Sequence, residues 1–434
     1  MRPGIIDALK VHCPNVCPQR RRSSLRLVVV GLAGLLLSLA LSGCISTPAW
    51  GPNDRYVVVP DFNGGRMYKV NVDGSGTHKI AGTTSDTNPS ISPDGRYILS
   101  VCDEGDTSKS GYSYSMLMLT DSVTGKTTEI GEGQGVDSPF AWRPDSARFA
   151  GFKRGPHGEK KAWFYIVSYK GVTLEVPTPP HLHFSHAIWL PHTDNIAVLG
   201  AKRTAKDDLF APEVADVYTV EDGEVNQISH TGDVVGMGLS PDGEHLIWAR
   251  QGKNLRYVLI SLYRFNLDNR SVQRVPFEEQ VPGINLPHKA PVEVSGVWFS
   301  PDGRHLAIEC NFGHTVEATT NFFLTQSPAQ LKKLLHLHMS DKQFKKYEST
   351  SDFTSKLVDL APKFTGALYI VSMDGRHAKQ IMAGNWMDFT PSWSHRGNKL
   401  AFYMTNSPFL PDKASLWVCN ADGSHLRKLL AWKK

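Results

Sequence analysis

The stretch Gly296–Cys310, GVWFSPDGRHLAIEC, decides the fold. An apolar run stops at Ser300-Pro301-Asp302-Gly303 and another begins at Leu306. Proline presets one turn dihedral, aspartate bonds backbone amides and glycine takes positive φ, so the four residues predict a hairpin corner between two strands.

The corner recurs along the chain. Aligned on its second position, seven units share the anchors Pro52, Pro93, Pro144, Pro191, Pro241, Pro301 and His395. Two positions before them stand Trp50, Ile91, Trp142, Trp189, Leu239, Phe299 and Trp393. Five positions after them stand Val57, Ile98, Phe149, Ile196, Leu246, Leu306 and Leu400. All are apolar, so a strand precedes and follows each corner. Each unit adds a further strand-like run with a second turn, as in MYKVNVDGSGTHKI (67–80) and ALYIVSMDGRHAKQI (367–381). Four strands in units of about 40 to 60 residues predict an all-β, seven-bladed β-propeller, with six blades as the alternative.

An aromatic residue followed by SPDG, an apolar strand and a strand ending in DG resembles the TolB-like propeller repeat, and the resemblance spans residues 50 to 430. It implies a propeller fold and leaves the function open, since partner-binding scaffolds, lyases and the non-catalytic domains of peptidases share it. TolB itself has six blades and a separate preceding domain. This chain shows seven units and no spare length for such a domain.

Composition agrees with a β-rich chain: 434 residues hold 37 Gly and 27 Pro, which favours many turns. The formal charge of +5 resides in residues 1–43, where six basic side chains face Asp7 alone, leaving a neutral body. A neutral body lacks the concentrated basic surface that nucleic-acid binding needs.

The leader carries Arg20-Arg21-Arg22 and then LRLVVVGLAGLLLSLALSGC, ending at Cys44. Residues 1–43 are expected to form a secretory signal, and Leu41-Ser42-Gly43-Cys44 resembles the bacterial lipoprotein box. That resemblance implies acylation of the Cys44 thiol, cleavage before it, and a membrane anchor in the cell envelope. Ile45 in place of Asp implies the outer membrane, facing the periplasm. Residues 44–49 are then a short tether and 50–434 the propeller. Of six cysteines, Cys13 and Cys17 leave with the leader. Cys102, Cys310 and Cys419 are read as buried thiols, and Cys102 and Cys310 stand on equivalent strands of distant blades, too far apart to bridge.

Function is sought on the face opposite the SPDG corners, where loops converge on the channel mouth. Asp86, Asp137, Asp233, Glu293 and Asp388 stand seven or eight positions before their anchors, at this mouth. They are read either as loop-bonding carboxylates or as a site for a cation or cationic peptide. His181, His183 and His186 are close enough for a divalent metal such as zinc or manganese, resembling the His-rich site of a propeller lyase acting on oligogalacturonides; the alternative is solvated loop histidines. Residues 311–364 interrupt the sixth unit and are expected to form a helical insertion, with Ser327 as cap and Pro328 at the first helical position. No Gly-x-Ser-x-Gly nucleophile turn occurs. The leading expectation is a non-catalytic scaffold for an envelope protein. A sugar- or peptide-binding sensor and a metal-dependent lyase are the alternatives.

Overall fold

The computed structural model describes residues 47–60, 66–80, 86–104, 114–133, 136–154, 162–168, 171–177, 182–203, 213–252, 258–277, 292–313, 364–385, 388–405 and 414–431. These form seven four-stranded antiparallel sheets, each made of strands consecutive in the chain. In chain order the sheets span Ala49–Lys79, Asp86–Gly133, Val136–Pro177, Leu182–Gln227, Val234–Val275, Val292–Asn385 and Asp388–Ala431.

The first strands of neighbouring sheets lie beside one another, and indole N–H groups stitch them. Trp142 Nε1 donates to the Ser90 carbonyl at 3.2 Å, Trp189 Nε1 to Ala141 at 2.7 Å and Trp393 Nε1 to Trp298 at 3.0 Å. Trp50 Nε1 donates to Ser392 at 2.9 Å, which joins the first sheet to the seventh and closes the ring. Each acceptor is the residue just before the position equivalent to tryptophan in the preceding sheet. The aromatic two places before the corner therefore packs apolar area and satisfies a carbonyl across the seam.

The second strands explain the unbroken apolar runs. Leu246–Ala249, Leu306–Cys310 and Leu400–Met404 are buried at every residue, since each such strand is covered by a neighbouring sheet on both faces. Leu306, Ile308 and Cys310 pack with the fifth sheet, and Ala307 with the seventh. The outermost strand Thr77–Lys79 lacks such cover and is polar, and Val272–Val275 is exposed at its first three residues.

The corners have the anticipated chemistry. Gly303 has φ of 67° and its N–H bonds the Ser300 carbonyl at 2.9 Å. Ser300 Oγ donates to Asp302 at 2.7 Å and accepts from the His305 amide at 2.9 Å. Glycine is also needed by the neighbour: a Cβ on Gly303 would stand 2.5 Å from Cγ of Pro241, and one on Gly95 2.7 Å from that of Pro52. The corners at Gly95, Gly243 and Gly303 thus lean on the proline of a neighbouring corner, and Gly397 leans on Asp302.

The expectation of a helical insertion at 311–364 within the propeller is corrected. Among the described residues there is no helix, and both ends of that segment are strand. Asn311 pairs with Gly366, Phe312 with Thr365 and Gly313 with Phe364, so the second and third strands of the sixth sheet run on as a ladder where the sequence suggested a departure. Polar Asn311 and Gly313 weaken the apolar pattern there, and backbone pairing decides. Residues 314–363, with Ser327 and Pro328, lie outside the described residues, as do the leader, Cys44 and the tether up to Ser46.

Candidate binding site at the channel mouth

The five acidic positions occupy one rung of the ring. Asp86 pairs with Cys102, Asp137 with Phe152, Glu293 with Asn311 and Asp388 with Thr405, each at or next to the start of a first strand. Asp233 immediately precedes its strand, and its carbonyl accepts the Gln251 amide at 3.0 Å. All five therefore sit at the end of the first strands away from the SPDG corners. The side chains of Asp86, Asp137, Glu293 and Asp388 lie outside the described residues.

Asp233 shows what its position does. Both of its oxygens are taken by Arg250, from Nε at 2.7 Å and Nη2 at 2.9 Å. Burial pushes its carboxyl upward, but hydrogen bonds from Arg250 and Thr231 and the guanidinium charge outweigh this and hold it below the usual carboxylate range. Arg250 Nη1 also donates to Tyr263 Oη at 3.2 Å, with the guanidinium 5.2 Å from the ring centre. Tyr263 in turn stacks on Trp248, centroids 5.9 Å apart. Cation, carboxylate and two aromatics thus form one column on the face of the fifth sheet turned to the fourth.

A second aspartate fixes the loop that presents Asp233. Asp216 is buried and accepts from Ser229 Oγ at 2.7 Å, the Thr231 amide at 2.9 Å and the Gly232 amide at 3.1 Å, all through Oδ1, while Gln227 reaches Oδ2. Between the sixth and seventh sheets, Glu309 is 2% exposed and accepts the Phe389 amide at 3.0 Å. Arg250, Tyr263, Asp216 and Glu309 escaped the sequence reading because they stand on second and third strands, where the apolar pattern hides them. An Arg, Asp or Glu inside an otherwise apolar strand was the available signal.

Of the three histidines, His181 lies outside the described residues, as does the side chain of His183. The backbone pairs His183 with Ala201 and His186 with Leu199, with a register shift between Phe184 and His186. Burial pushes the His186 imidazole down to about 4. On the opposite face, Asp242, Glu244 and His245 bring ligand atoms within 4.8 Å of one another, but Asp242 already accepts from Ser240 Oγ and the Glu244 amide. Cys102, Cys310 and Cys419 are buried thiols. Burial raises the Cys310 thiol and pushes that of Cys419 up to about 12, so both behave as apolar packing.

The ring of four-stranded sheets matches known architectures. The propeller domain of the Trilobed protease from Pyrococcus furiosus, described as having an open velcro topology, aligns with a TM-score of 0.51 at 15% identity, over 89% of this chain and 95% of that one. The chain is a β-propeller, consistent with the TolB-like repeat. An oligogalacturonate lyase in complex with manganese aligns with a TM-score of 0.50 at 13% identity, over 86% and 88%. TolB from Acinetobacter baumannii aligns at 0.40 and 13% identity, over 94% and 69%. No protein-family model matches the propeller's sequence, and no curated protein matches it. No described sheet mixes strands of the first and last units.

Proposed function

We propose that this chain is a cell-envelope lipoprotein, exported by residues 1–43, acylated at Cys44 and held at the outer membrane facing the periplasm. Its propeller serves as a non-catalytic scaffold that binds an envelope protein through the mouth. The observation that carries this reading is the Asp233–Arg250–Tyr263 column. A carboxylate with both oxygens engaged and its pKa held down is a poor general base, since proton transfer needs a free lone pair and a pKa near the working pH. Arginine and tyrosine at a part-buried rim are, by contrast, the residue types that anchor protein interfaces.

Photo-crosslinking tests the reading. A crosslinker at exposed His230, beside the column, is expected to capture an envelope protein in intact cells, while one at Val123, 83% exposed on the corner face, captures none. Equal capture from both faces, or none from His230, would refute the mouth as the binding surface.

A metal-dependent lyase is the second reading, favoured by one observation. Burial keeps the His186 imidazole neutral to about pH 4, and a metal ligand must be neutral. His181 and His183 would complete its side of the site. Elemental analysis of untagged protein checks it: a stoichiometric divalent ion lost on His186→Ala supports the reading, and a metal-free protein ends it.

A further inference from the structure

The lipoprotein reading gains an orientation once the ring is built. Ala49 and Trp50 form the first strand of the first sheet, pairing with Val58 and Val57. Trp50 reaches across to the first strand of the seventh sheet, so this short strand belongs to the inner ring. Like its six counterparts it runs from the mouth toward a corner, here the one at Pro52. The preceding chain therefore emerges on the mouth side, beginning with exposed Thr47.

Cys44 lies three residues upstream of Thr47, and an extended chain spans at most about 3.6 Å per residue, so an acylated Cys44 stands within about 11 Å of Thr47. Cys44 also lies eight positions before Pro52, the same offset that separates Asp233 from Pro241 and Glu293 from Pro301. The first strands of other sheets, such as Asp86–Ile91 and Val292–Phe299, run six to eight residues. At about 3.3 Å per residue the corner face is then about 20 to 26 Å from the mouth. Thr47 lies five residues before Pro52, at most about 18 Å from its own corner, and a tether of about 11 Å cannot turn back over that distance.

Charge opposes this placement weakly. An acidic mouth would repel anionic headgroups, but such repulsion is screened beyond about 8 Å at physiological salt, and Arg250 already neutralises Asp233. Several acyl chains on one residue hold stably where a single chain does not. Anchoring wins, and repulsion leaves a gap.

We propose that the channel mouth faces the membrane carrying the Cys44 lipid, so that its partner is a protein held in or on that same membrane. The proposal rests on the lipoprotein reading, and the test separates the two. The purified, acylated, full mature chain is placed in liposomes bearing a nitroxide-labelled headgroup, with a fluorophore on His230→Cys or on Val123→Cys. The native thiols Cys102, Cys310 and Cys419 are buried and do not compete for label. The His230 probe is expected to lose most of its emission and the Val123 probe to keep it. A Gly/Ser insert of about 20 residues after Ser46 adds a mean span of about 25 Å and is expected to restore the His230 signal. Quenching at Val123, equal quenching at both positions, or quenching at His230 that survives the insert would overturn the orientation while leaving acylation intact. Intact-mass measurement reads acylation separately: an N-terminal peptide without acyl mass would remove the lipoprotein reading and the orientation with it.

Discussion

The seam between the seventh and first sheets and the seam between the fourth and fifth solve one packing problem in different ways. At the closing seam side-chain hydrogen bonds bridge the two sheets. Trp50 donates to Ser392, and buried Asp54 accepts the amides of His395 at 2.9 Å and Arg396 at 3.1 Å over a shared apolar cluster. At the fourth–fifth seam Leu239 stands where tryptophan would clip, the Ala215 amide reaches the Gly232 carbonyl only at 3.3 Å, and Trp248 Nε1 and Thr219 Oγ1 are buried with no hydrogen-bond partner. A ring whose closing seam shares no strand needs side-chain hydrogen bonds at that seam most. A seam bracketed by continuous chain can spare them.

The largest effect is expected from Asp54→Ala. It removes the charged acceptor of two amides in a part-buried contact, for a loss of about 3 kcal/mol, and Asp54→Asn, which keeps one acceptor, should lose about half as much. Urea midpoints at constant slope measure both. Equal, negligible losses would mean that the closing seam is no more demanding than the others.

Acid loads the other seam selectively. From His186 onward the strand alternates, which puts His186 on the same side as Ile188, packed toward the fifth sheet. Its folded pKa of about 4 lies below the ordinary 6.5, so the unfolded chain takes up the proton first. The stabilisation is complete above pH 6.5 and is lost as the pH falls toward 4, amounting to about 2 kcal/mol by pH 5. His186→Asn should flatten this part of the profile. Asp233, also depressed, contributes stability that is present above the ordinary carboxylate range and lost only at lower pH, as its own folded pKa is crossed. A His186→Asn profile as steep as that of the native chain between pH 6.5 and 5 would place the proton uptake elsewhere.

How much of this was legible follows from where each residue stands. Pro301, Asp302 and Gly303 act within four residues of one another, so their spacing alone carried the corner, and Trp142, Trp189 and Trp393 recur at a fixed offset that marked the seams. The partner of Asp233 was not legible: Arg250 lies on the next strand, and a register shift between Val234 and Gly236 breaks the arithmetic that would have paired them. Nor was Asp54 recognisable as the closing residue. It occupies the corner slot filled elsewhere by glycine, with φ of 57°, while Asn53 takes the turn-bonding place of Asp302, and only closure of the ring brings Asp54 to the amides of His395 and Arg396.

The smaller effects sharpen the contrast. Trp50→Phe removes one indole bond and strands the Ser392 carbonyl, for about 1.5 kcal/mol. Trp248→Phe, the same change made at the fourth–fifth seam, should cost close to nothing. An unmade hydrogen bond is already a loss to the folded state, so deleting the orphan N–H returns desolvation energy that offsets the smaller ring's lost area. The stack on Tyr263 survives in phenylalanine, and with it the support of Arg250. If Trp248→Phe proves as damaging as Trp50→Phe, its N–H has a partner, an ordered water or a bound group, that stitches this seam after all.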